Sequence, residues 1–378
     1  MTKLNSEKIG IISVDGHVKA PWQNYRDYLD PQWREPYDEW LAGRSQKSDF
    51  VLAELGEDAQ WSAARRINDL AAEGVVAELL FSNGIPFDHQ SGIHAVNAGY
   101  TAYNRWIADI CAPTNGRMLP QAHIDFTNIP AAVGEIHAAK NAGFAGILMP
   151  PLTAGSRYFF DPALDPIWAA CVETGLPISQ HGGVGAPRYE PESAAAFLVL
   201  AAEHSFFSGR SLWQLILGGV FDRFPGLNVV YVETETWWLR PIMRILDRRD
   251  RVGDEWAEAA KAAGRNSNRP YKKLPSEYLH TNIFMGISPC VKSTVVEEFD
   301  ASSDHPLITP QNAMLGVDYP HPETALREVK AAINALATLP SISPDDVRNV
   351  AFHNAVRVYG LDTEKLKTDV EKIGFELA

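Results

Sequence analysis

Short apolar runs alternate along the chain with longer stretches in which apolar residues recur at helical spacing. Each apolar run ends in polar residues or glycine, which is typical of strands that are buried on both faces of a parallel sheet. Eight such runs follow one another, at 9–17, 75–83, 117–124, 143–151, 177–183, 227–235, 278–286 and 312–321. Segments with helical spacing lie between them, at 92–111, 128–141, 163–174, 195–223, 238–262 and 323–338.

Eight strand and helix units in series predict an α/β fold, a closed (β/α)8 TIM-like barrel. An open, doubly wound sheet in two domains is the alternative. The 378 residues fit one barrel domain over 1–378, because such barrels often exceed 250 residues. Two stretches, about 20–74 and 186–223, interrupt the alternation, and we expect these helical insertions to lie over the C-terminal face of the barrel.

Composition excludes several classes of function. The formal net charge is −13, and no Lys/Arg run is long enough to follow a phosphate backbone, so we expect no nucleic-acid partner. No segment reaches the roughly 18 apolar residues of a membrane helix. The three cysteines form no CxxC pair, which argues against a disulfide framework and a structural zinc site. These features predict a soluble, cytoplasmic protein.

Polar residues that end the predicted strands carry the candidate chemistry, because catalytic groups of a (β/α)8 barrel lie where its strands end. The first strand ends in Asp15-Gly16-His17, and residues two apart on a strand point to the same side. Asp15 and His17 can therefore reach one ion. Further oxygen and imidazole donors close later strands: His181 on the fifth, Glu233 on the sixth, and Asp318 with His321 on the eighth.

Imidazole and carboxylate ligands together suit zinc, iron or manganese, whereas magnesium and calcium sites rarely include two histidines. We therefore expect one or two divalent transition-metal ions. The expected ligands are Asp15, His17, His181 and Asp318, with Glu233, His204 and His321 as further candidates. A carboxylate such as Glu233 can also orient a ligand histidine without touching the ion. His204 lies on a predicted helix, and a histidine there is more often packed against other residues or exposed at the surface than bound to a metal.

The chain resembles the amidohydrolase superfamily, in particular the amidohydrolase-related branch that includes aminocarboxymuconate-semialdehyde decarboxylase and the resorcylate-type decarboxylases. Four stretches carry the resemblance: IISVDGHV at 11–18, ISQHGG at 178–183, the stretch 224–248, and LGVDYPHPE at 315–323. The resemblance implies a distorted (β/α)8 barrel with a metal at the strand ends. It also implies that the first-strand pair, a fifth-strand histidine and an eighth-strand aspartate hold the metal, as Asp15, His17, His181 and Asp318 would here.

Two positions depart from the pattern of this superfamily. Its hydrolases usually begin with His-x-His, whereas this chain has Asp15 at the first position. Its hydrolases and decarboxylases also use a sixth-strand histidine as metal ligand or acid–base group, and this chain has Glu233. These departures leave the chemistry open.

The favoured hypothesis is O2-dependent hydroxylation at a dinuclear iron or manganese–iron site. Three carboxylates and three imidazoles resemble the donor set of dinuclear oxygenases, a few of which have the amidohydrolase fold. The alternatives are hydrolysis of an amide, ester or lactone by a metal-bound water, with zinc as the other candidate ion, non-oxidative decarboxylation, and a metal-binding partner subunit without turnover. The catalytic candidates are Asp318, Glu233 and His321.

The substrate is expected to be a small organic molecule. Arg188 could bind a substrate carboxylate through two hydrogen bonds, and Asn83 is expected to line the pocket. The glycine-rich HGGVG at 181–185 lacks both the GxGxxG and the GK[ST] patterns, so no nucleotide cofactor is implied. Barrels of this branch commonly self-associate, which predicts a homo-oligomer or a complex with a related chain.

Overall fold

A parallel sheet forms the centre of the molecule. The computed structural model describes residues 8–44, 51–87, 91–152, 156–187, 189, 193–251, 253–264, 269–299 and 307–377. Its strands are β1 (Ile11–Ser13), β2 (His17–Val18), β3 (Val75–Ser82), β4 (Met118–Ala122), β5 (Gly146–Leu148), β6 (Ile178–His181), β7 (Val229–Val232), β8 (Ile283–Ile287) and β9 (Ala313–Leu315).

The strands pair in sequence order and the sheet nearly closes on itself. β1 pairs with β3, each following strand pairs with the next as far as β9, and β2 extends the first pairing. The first and last strands meet through a hydrogen bond from the Val14 N–H to the Leu315 carbonyl at 2.8 Å and a parallel bridge between Gly16 and Tyr319. The predicted (β/α)8 barrel is therefore confirmed.

Helices surround the sheet. They are α1 (Tyr25–Tyr28), α2 (Pro31–Gly43), α3 (Ala63–Ala71), α4 (Ile93–Cys111), α5 (Ile129–Asn141), α6 (Asp165–Thr174), α7 (Ala194–Leu217), α8 (Val220–Arg223), α9 (Leu239–Arg251), α10 (Gly253–Ala262), α11 (Lys292–Glu298), α12 (Val329–Ala337), α13 (Pro344–Arg348), α14 (Asn354–Tyr359) and α15 (Thr363–Ile373). In the described part of the chain, none of them has the length and apolar character that crossing a membrane requires.

Local sequence sets several helix ends. The side chains of Ser62, Asn128 and Ser193 each accept a hydrogen bond from a backbone N–H in the first turn of α3, α5 and α7, respectively. Helix α6 ends at Gly175, which takes the left-handed conformation with φ of 68° that glycine adopts without strain. These helices therefore begin and end where short side-chain signals occur in the sequence.

Several predicted elements differ in extent from the observed ones, and a helix and a strand show why. The predicted helix 195–223 is divided into α7 and α8 at Gly218 and Gly219. A Cβ on Gly219 would lie 2.1 Å from the Pro270 carbonyl oxygen, so the chain needs glycine where it turns. The predicted strand 278–286 begins only at Ile283, because a 3-10 helix occupies Pro275–His280.

The insertion 20–74 reaches the C-terminal ends of the strands. Its Leu52 N–H donates to the Pro320 carbonyl at 2.8 Å, and the Asn83 side chain after β3 donates to Gln60 Oε1 at 3.0 Å. Apolar packing at 20–74 is extensive, since Tyr25 and Tyr37 are fully buried. The first insertion therefore forms part of the wall beside the strand ends.

Candidate metal centre

Six donor side chains meet at the C-terminal ends of β1, β6, β7 and β9. They form two overlapping groups of four, and the donor atoms of each group lie within 4.8 Å of one another. The groups are Asp15, His17, His181 and Glu233, and His17, Glu233, Asp318 and His321. The structure thus brings together residues that lie about 300 positions apart in the sequence.

The first group is centred on the two imidazoles. His181 Nε2 lies 3.0 Å from Glu233 Oε2 and 3.4 Å from Asp15 Oδ1. His17 Nε2 lies 3.4 Å from the same Asp15 oxygen, and the two histidine rings meet edge to face at 4.9 Å. Two imidazole nitrogens and two carboxylate oxygens therefore converge on one small space.

The second group extends this arrangement toward β9. His17 Nε2 lies 3.1 Å from Asp318 Oδ1, and His321 Nδ1 lies 2.9 Å from the same oxygen. The rings of His17 and His321 stack with their centroids 3.8 Å apart. Asp318 is fully buried, so its carboxylate faces the histidines and not solvent.

Several of these donor atoms have no hydrogen-bond partner within the described ranges of the chain. They are Asp15 Oδ1, His17 Nε2, His181 Nε2, Glu233 Oε2 and Asp318 Oδ1. Buried polar atoms are normally hydrogen-bonded, so a converging set of unsatisfied ones requires an explanation. A cation held among them would supply it, because imidazole and carboxylate are ligands of first-row transition metals.

The carboxylates and imidazoles shift one another's pKa. Burial alone lowers the pKa of a histidine, yet contacts with Asp15, Asp318 and Glu233 raise the pKa of His17 well above its ordinary value. Glu233 and Asp15 likewise outweigh burial and raise the pKa of His181 to about 10. Burial raises the pKa of Glu233, but His181 and His17 reverse this and lower it to about 2. The carboxylates thus create a strong preference for positive charge.

A buried ion pair supports the first-strand ligands. Arg66 on α3 and Glu78 on β3 are joined by two hydrogen bonds of 2.8 Å, and both side chains are almost fully buried. Arg66 Nη1 also donates to the His17 carbonyl at 2.6 Å. A Cβ on Gly16 would lie 2.5 Å from Glu78 Oε2, so only glycine fits between Asp15 and His17. The pair therefore fixes the backbone that carries these ligands.

The backbone at two ligands is strained. Glu233 has φ of 53° and Asp318 has φ of 60°, a region that residues with a Cβ seldom adopt. Gly182 allows Glu233 to approach, since a Cβ there would lie 2.2 Å from the Glu233 carbonyl oxygen. Strain of this kind persists where surrounding structure enforces it, often at functional sites.

Ser288 is a supporting residue that the sequence did not reveal. Its Oγ donates to Asp15 Oδ2 at 2.5 Å, which leaves Oδ1 of the same carboxylate directed at the histidines. Ser288 follows β8 directly, and a polar residue just after a strand was the available signal. Arg66 gave no such signal because it lies on a helix of the first insertion.

The remaining candidates are distributed differently. Asn83 lines a cavity of about 410 Å³ that opens beside the metal ligands, together with Glu323 and the glycines after His181. His204 belongs to neither donor group of the described residues. Its Nδ1 lies 2.8 Å from the Ala201 carbonyl and its Nε2 lies 3.2 Å from Ser205 Oγ, so its ring contacts its own helix. Arg188 lies outside the described residues.

The cysteines take no part in the centre. Cys111, Cys171 and Cys290 are all buried and free. Burial raises the pKa of the Cys290 thiol to about 12, so this thiol is protonated at neutral pH.

The amidohydrolase family model matches residues 14–269, about two thirds of the chain. No curated protein matches the chain in sequence. Solved structures match its fold along nearly the whole length. A 5-carboxyvanillate decarboxylase from Novosphingobium aromaticivorans, complexed with manganese and 4-hydroxy-3-methoxy-5-nitrobenzoic acid, has a TM-score of 0.63 at 20% identity, over 94% of this chain and 97% of the other.

Two further structures are similar. A 2,6-dihydroxybenzoate decarboxylase from Rhizobium has a TM-score of 0.61 at 17% identity, over 94% of this chain and 99% of that one. A dihydroxybenzoic acid decarboxylase from Polaromonas, with manganese and the inhibitor 2-nitroresorcinol, has a TM-score of 0.61 at 16% identity, over 95% and 99% of the two chains. None of the three is a monooxygenase, so the hydroxylation favoured from the sequence finds no support among them.

Proposed function

Because the chain belongs to the amidohydrolase family, we propose that it is a divalent-metal-dependent enzyme that removes CO2 from a small organic carboxylate. The observation that carries the proposal is the buried, unsatisfied set of carboxylate and imidazole donors at the strand ends. The decarboxylases of similar fold that were solved with manganese support both the reaction and the ion. This replaces hydroxylation as the main hypothesis.

Asp15, His17, His181 and Glu233 would hold the ion, with Asp318 beside them. The donor set fits a manganese, iron or zinc ion, since it combines two imidazoles with hard carboxylate oxygens. When bound, such an ion supplies a positive charge that binds the substrate carboxylate and stabilises negative charge as it develops. Glu233, at the position of the family's sixth-strand histidine, is assigned here to the ion and not to proton transfer.

Asp318 and His321 are the residues proposed to handle the proton. Their side chains are in contact at 2.9 Å, Asp318 is fully buried, and His321 lines the cleft beside the ligands. In decarboxylation the bond between the substrate carbon and its carboxylate breaks, CO2 leaves, and the carbon takes a proton. The Asp318–His321 pair can hold that proton next to the cleft, and its burial limits exchange with water.

Incorporation of deuterium at the carbon that loses CO2 tests this proposal. Manganese-loaded protein in D2O is expected to release CO2 from a carboxylate in a panel that includes 2,6-dihydroxybenzoate and 5-carboxyvanillate, and to deuterate the corresponding product. The variant His321→Asn should retain manganese but lose most of the CO2 release, and with it the formation of deuterated product. If no member of the panel loses CO2, but the protein hydrolyses an ester or an amide, hydrolysis is favoured instead.

A second candidate function is supported by one observation. The two donor groups share His17 and Glu233, an arrangement that could hold two ions bridged by a carboxylate. Two iron ions, or manganese with iron, per chain would support the O2-dependent hydroxylation, and substrate-dependent oxygen consumption would distinguish it from decarboxylation. A partner subunit without turnover would bind the ion and show neither reaction.

A further inference from the structure

A second cavity adjoins the metal cleft on the side of β3 and β6. This inner cavity has a volume of about 110 Å³, and it shares Ser82, His181 and Val184 with the lining of the cleft. A ligand held at the metal therefore has the inner cavity directly beside it. Because His181 lines both spaces, any group bound at the ion lies at their junction.

A third cavity continues from the inner one to the surface. This outer groove has a volume of about 480 Å³ and shares Tyr100, Pro150 and Pro151 with the lining of the inner cavity. The cleft, the inner cavity and the outer groove thus follow one another from the metal centre outward. The cleft and the outer groove each lie within the range of roughly 300–1,000 Å³ that is typical of ligand pockets, and the smaller inner cavity connects them.

The walls of this path are largely apolar. The inner cavity is lined by the buried Phe81, Leu148 and Met149. The outer groove is lined by Ile93, whose side chain is 49% exposed, and by Val96. Exposed apolar side chains that border a continuous depression are typical of a ligand site.

A neutral polar pair lies in the apolar wall of the inner cavity. Ser82 Oγ and His123 Nε2 lie 2.7 Å apart, and the Tyr100 ring stacks on His123 with a centroid distance of 4.8 Å. Burial lowers the pKa of His123 to about 3, so its ring is neutral at physiological pH. Away from His181, the inner cavity therefore offers a hydrogen bond to an uncharged group and has no charged side chain, whereas Asp125 and Arg157 are part of the lining of the outer groove.

We propose that the inner cavity and the outer groove bind an elongated apolar tail of the substrate, whose carboxylate head lies at the metal centre. The inference rests on the proposed function, because the metal centre binds the head. It narrows the substrate class to carboxylates with a tail longer than one ring. An added charge on the part of the tail in the inner cavity is disfavoured, since it would lose hydration against the apolar walls there.

Binding of a homologous series of carboxylates tests the proposal. We would measure the dissociation constants of butanoate, hexanoate, octanoate and decanoate by isothermal titration calorimetry with manganese-loaded protein. Affinity is expected to rise with each added CH2, by up to about fourfold per group. A manganese-free sample serves as the reference for binding of the head.

A charge placed in the outer groove sharpens the test. The variant Ile93→Glu should weaken decanoate binding at least about tenfold more than butanoate binding, because only the longer chain reaches the groove. The matched control is Val172→Glu on α6, where an apolar side chain that is 38% exposed lies outside the three cavities. This control should leave the whole series unchanged.

The outcomes separate the two proposals. If butanoate does not bind in a manganese-dependent way, the proposed function is contradicted at the metal centre. If butanoate binds but affinity stays flat with chain length, or if Ile93→Glu and Val172→Glu behave alike, the tail site is wrong and the metal centre stands.

Discussion

Two buried histidines near the strand ends differ in the direction of their pKa shifts. His181 on β6 contacts Glu233 and Asp15, and its pKa is raised to about 10. His123, just after β4, contacts Ser82 and Tyr100, and burial lowers its pKa to about 3. Burial acts on both rings in the same direction, so the carboxylates alone reverse the sign. The region around His181 is suited to a cation, whereas the region around His123 is suited to an uncharged part of a ligand.

Removing the imidazoles of the charged region should have the largest effect. The double variant His17→Ala/His181→Ala is expected to lose manganese affinity by roughly a thousandfold or more, since several ligands together provide the binding energy of a protein metal site. Isothermal titration calorimetry would measure the loss. The matched variant His123→Gln should bind manganese as the wild type does. Equal losses in both variants would break the distinction between the two histidine environments.

The ion pair behind the charged region should have the next largest effect. Arg66→Met leaves Glu78 buried without its partner, and breaking such a pair costs about 3–5 kcal/mol of folding stability. Urea unfolding of the ion-free protein would measure this cost. The double variant Arg66→Met/Glu78→Gln should regain part of it, because no buried charge is left. A single variant as stable as the wild type would contradict the proposed support of Asp15 and His17.

The pH dependence of metal binding sharpens the comparison. The raised pKa values of His17 and His181 mean that both rings are protonated at neutral pH before an ion binds. Binding must then release protons, so affinity should increase with pH up to about 10, where His181 loses its proton unaided. Between pH 6 and 8 the expected change is roughly ten- to a hundredfold per pH unit, for one or two protons released. An affinity independent of pH would contradict the charge state assigned to these rings.

His123 should make the folding stability depend on pH. Its pKa is lowered from 6.5 in the unfolded chain to about 3 in the folded one. The folded state therefore binds fewer protons than the unfolded chain. The contribution of His123 to the free energy of unfolding is fully present above pH 6.5 and is lost as the pH falls toward 3. Between pH 7.5 and 5 the loss is about 2 kcal/mol. In urea unfolding, the free energy of unfolding of His123→Gln should fall by about 2 kcal/mol less than that of the wild type over this pH range. An equal fall in both proteins would mean that a group other than His123 causes it.

The metal ligands were predictable because parallel strands end together. Asp15, His181 and Asp318 each close an apolar run, and that rule places them at one face whatever their separation in sequence. The same rule applied to His123, which lies at the end of the predicted strand 117–124, but sequence spacing gave no sign of the cavities around it. How deeply such a side chain is buried, and which residues surround it, depends on how the loops fold.

The sequence was least informative for residues that lie on helices. His204 was a candidate ligand by residue type, but helical spacing does not show which way a single side chain points, and its ring contacts its own helix. Arg66 lies in the insertion 20–74, whose helices α2 and α3 follow no strand pattern. The single domain over 1–378, the cytoplasmic location and self-association stay predictions.

The central claim is that one buried centre at the strand ends binds a divalent ion. Anomalous diffraction at the manganese edge, from crystals of manganese-loaded protein, tests it most directly. We predict a peak roughly 2.0–2.3 Å from nitrogen and oxygen atoms of His17, His181, Asp15 and Glu233. A second peak beside Asp318 and His321 is expected only if the site is dinuclear. No peak among the first four residues, or a peak confined to surface carboxylates, would contradict the claim.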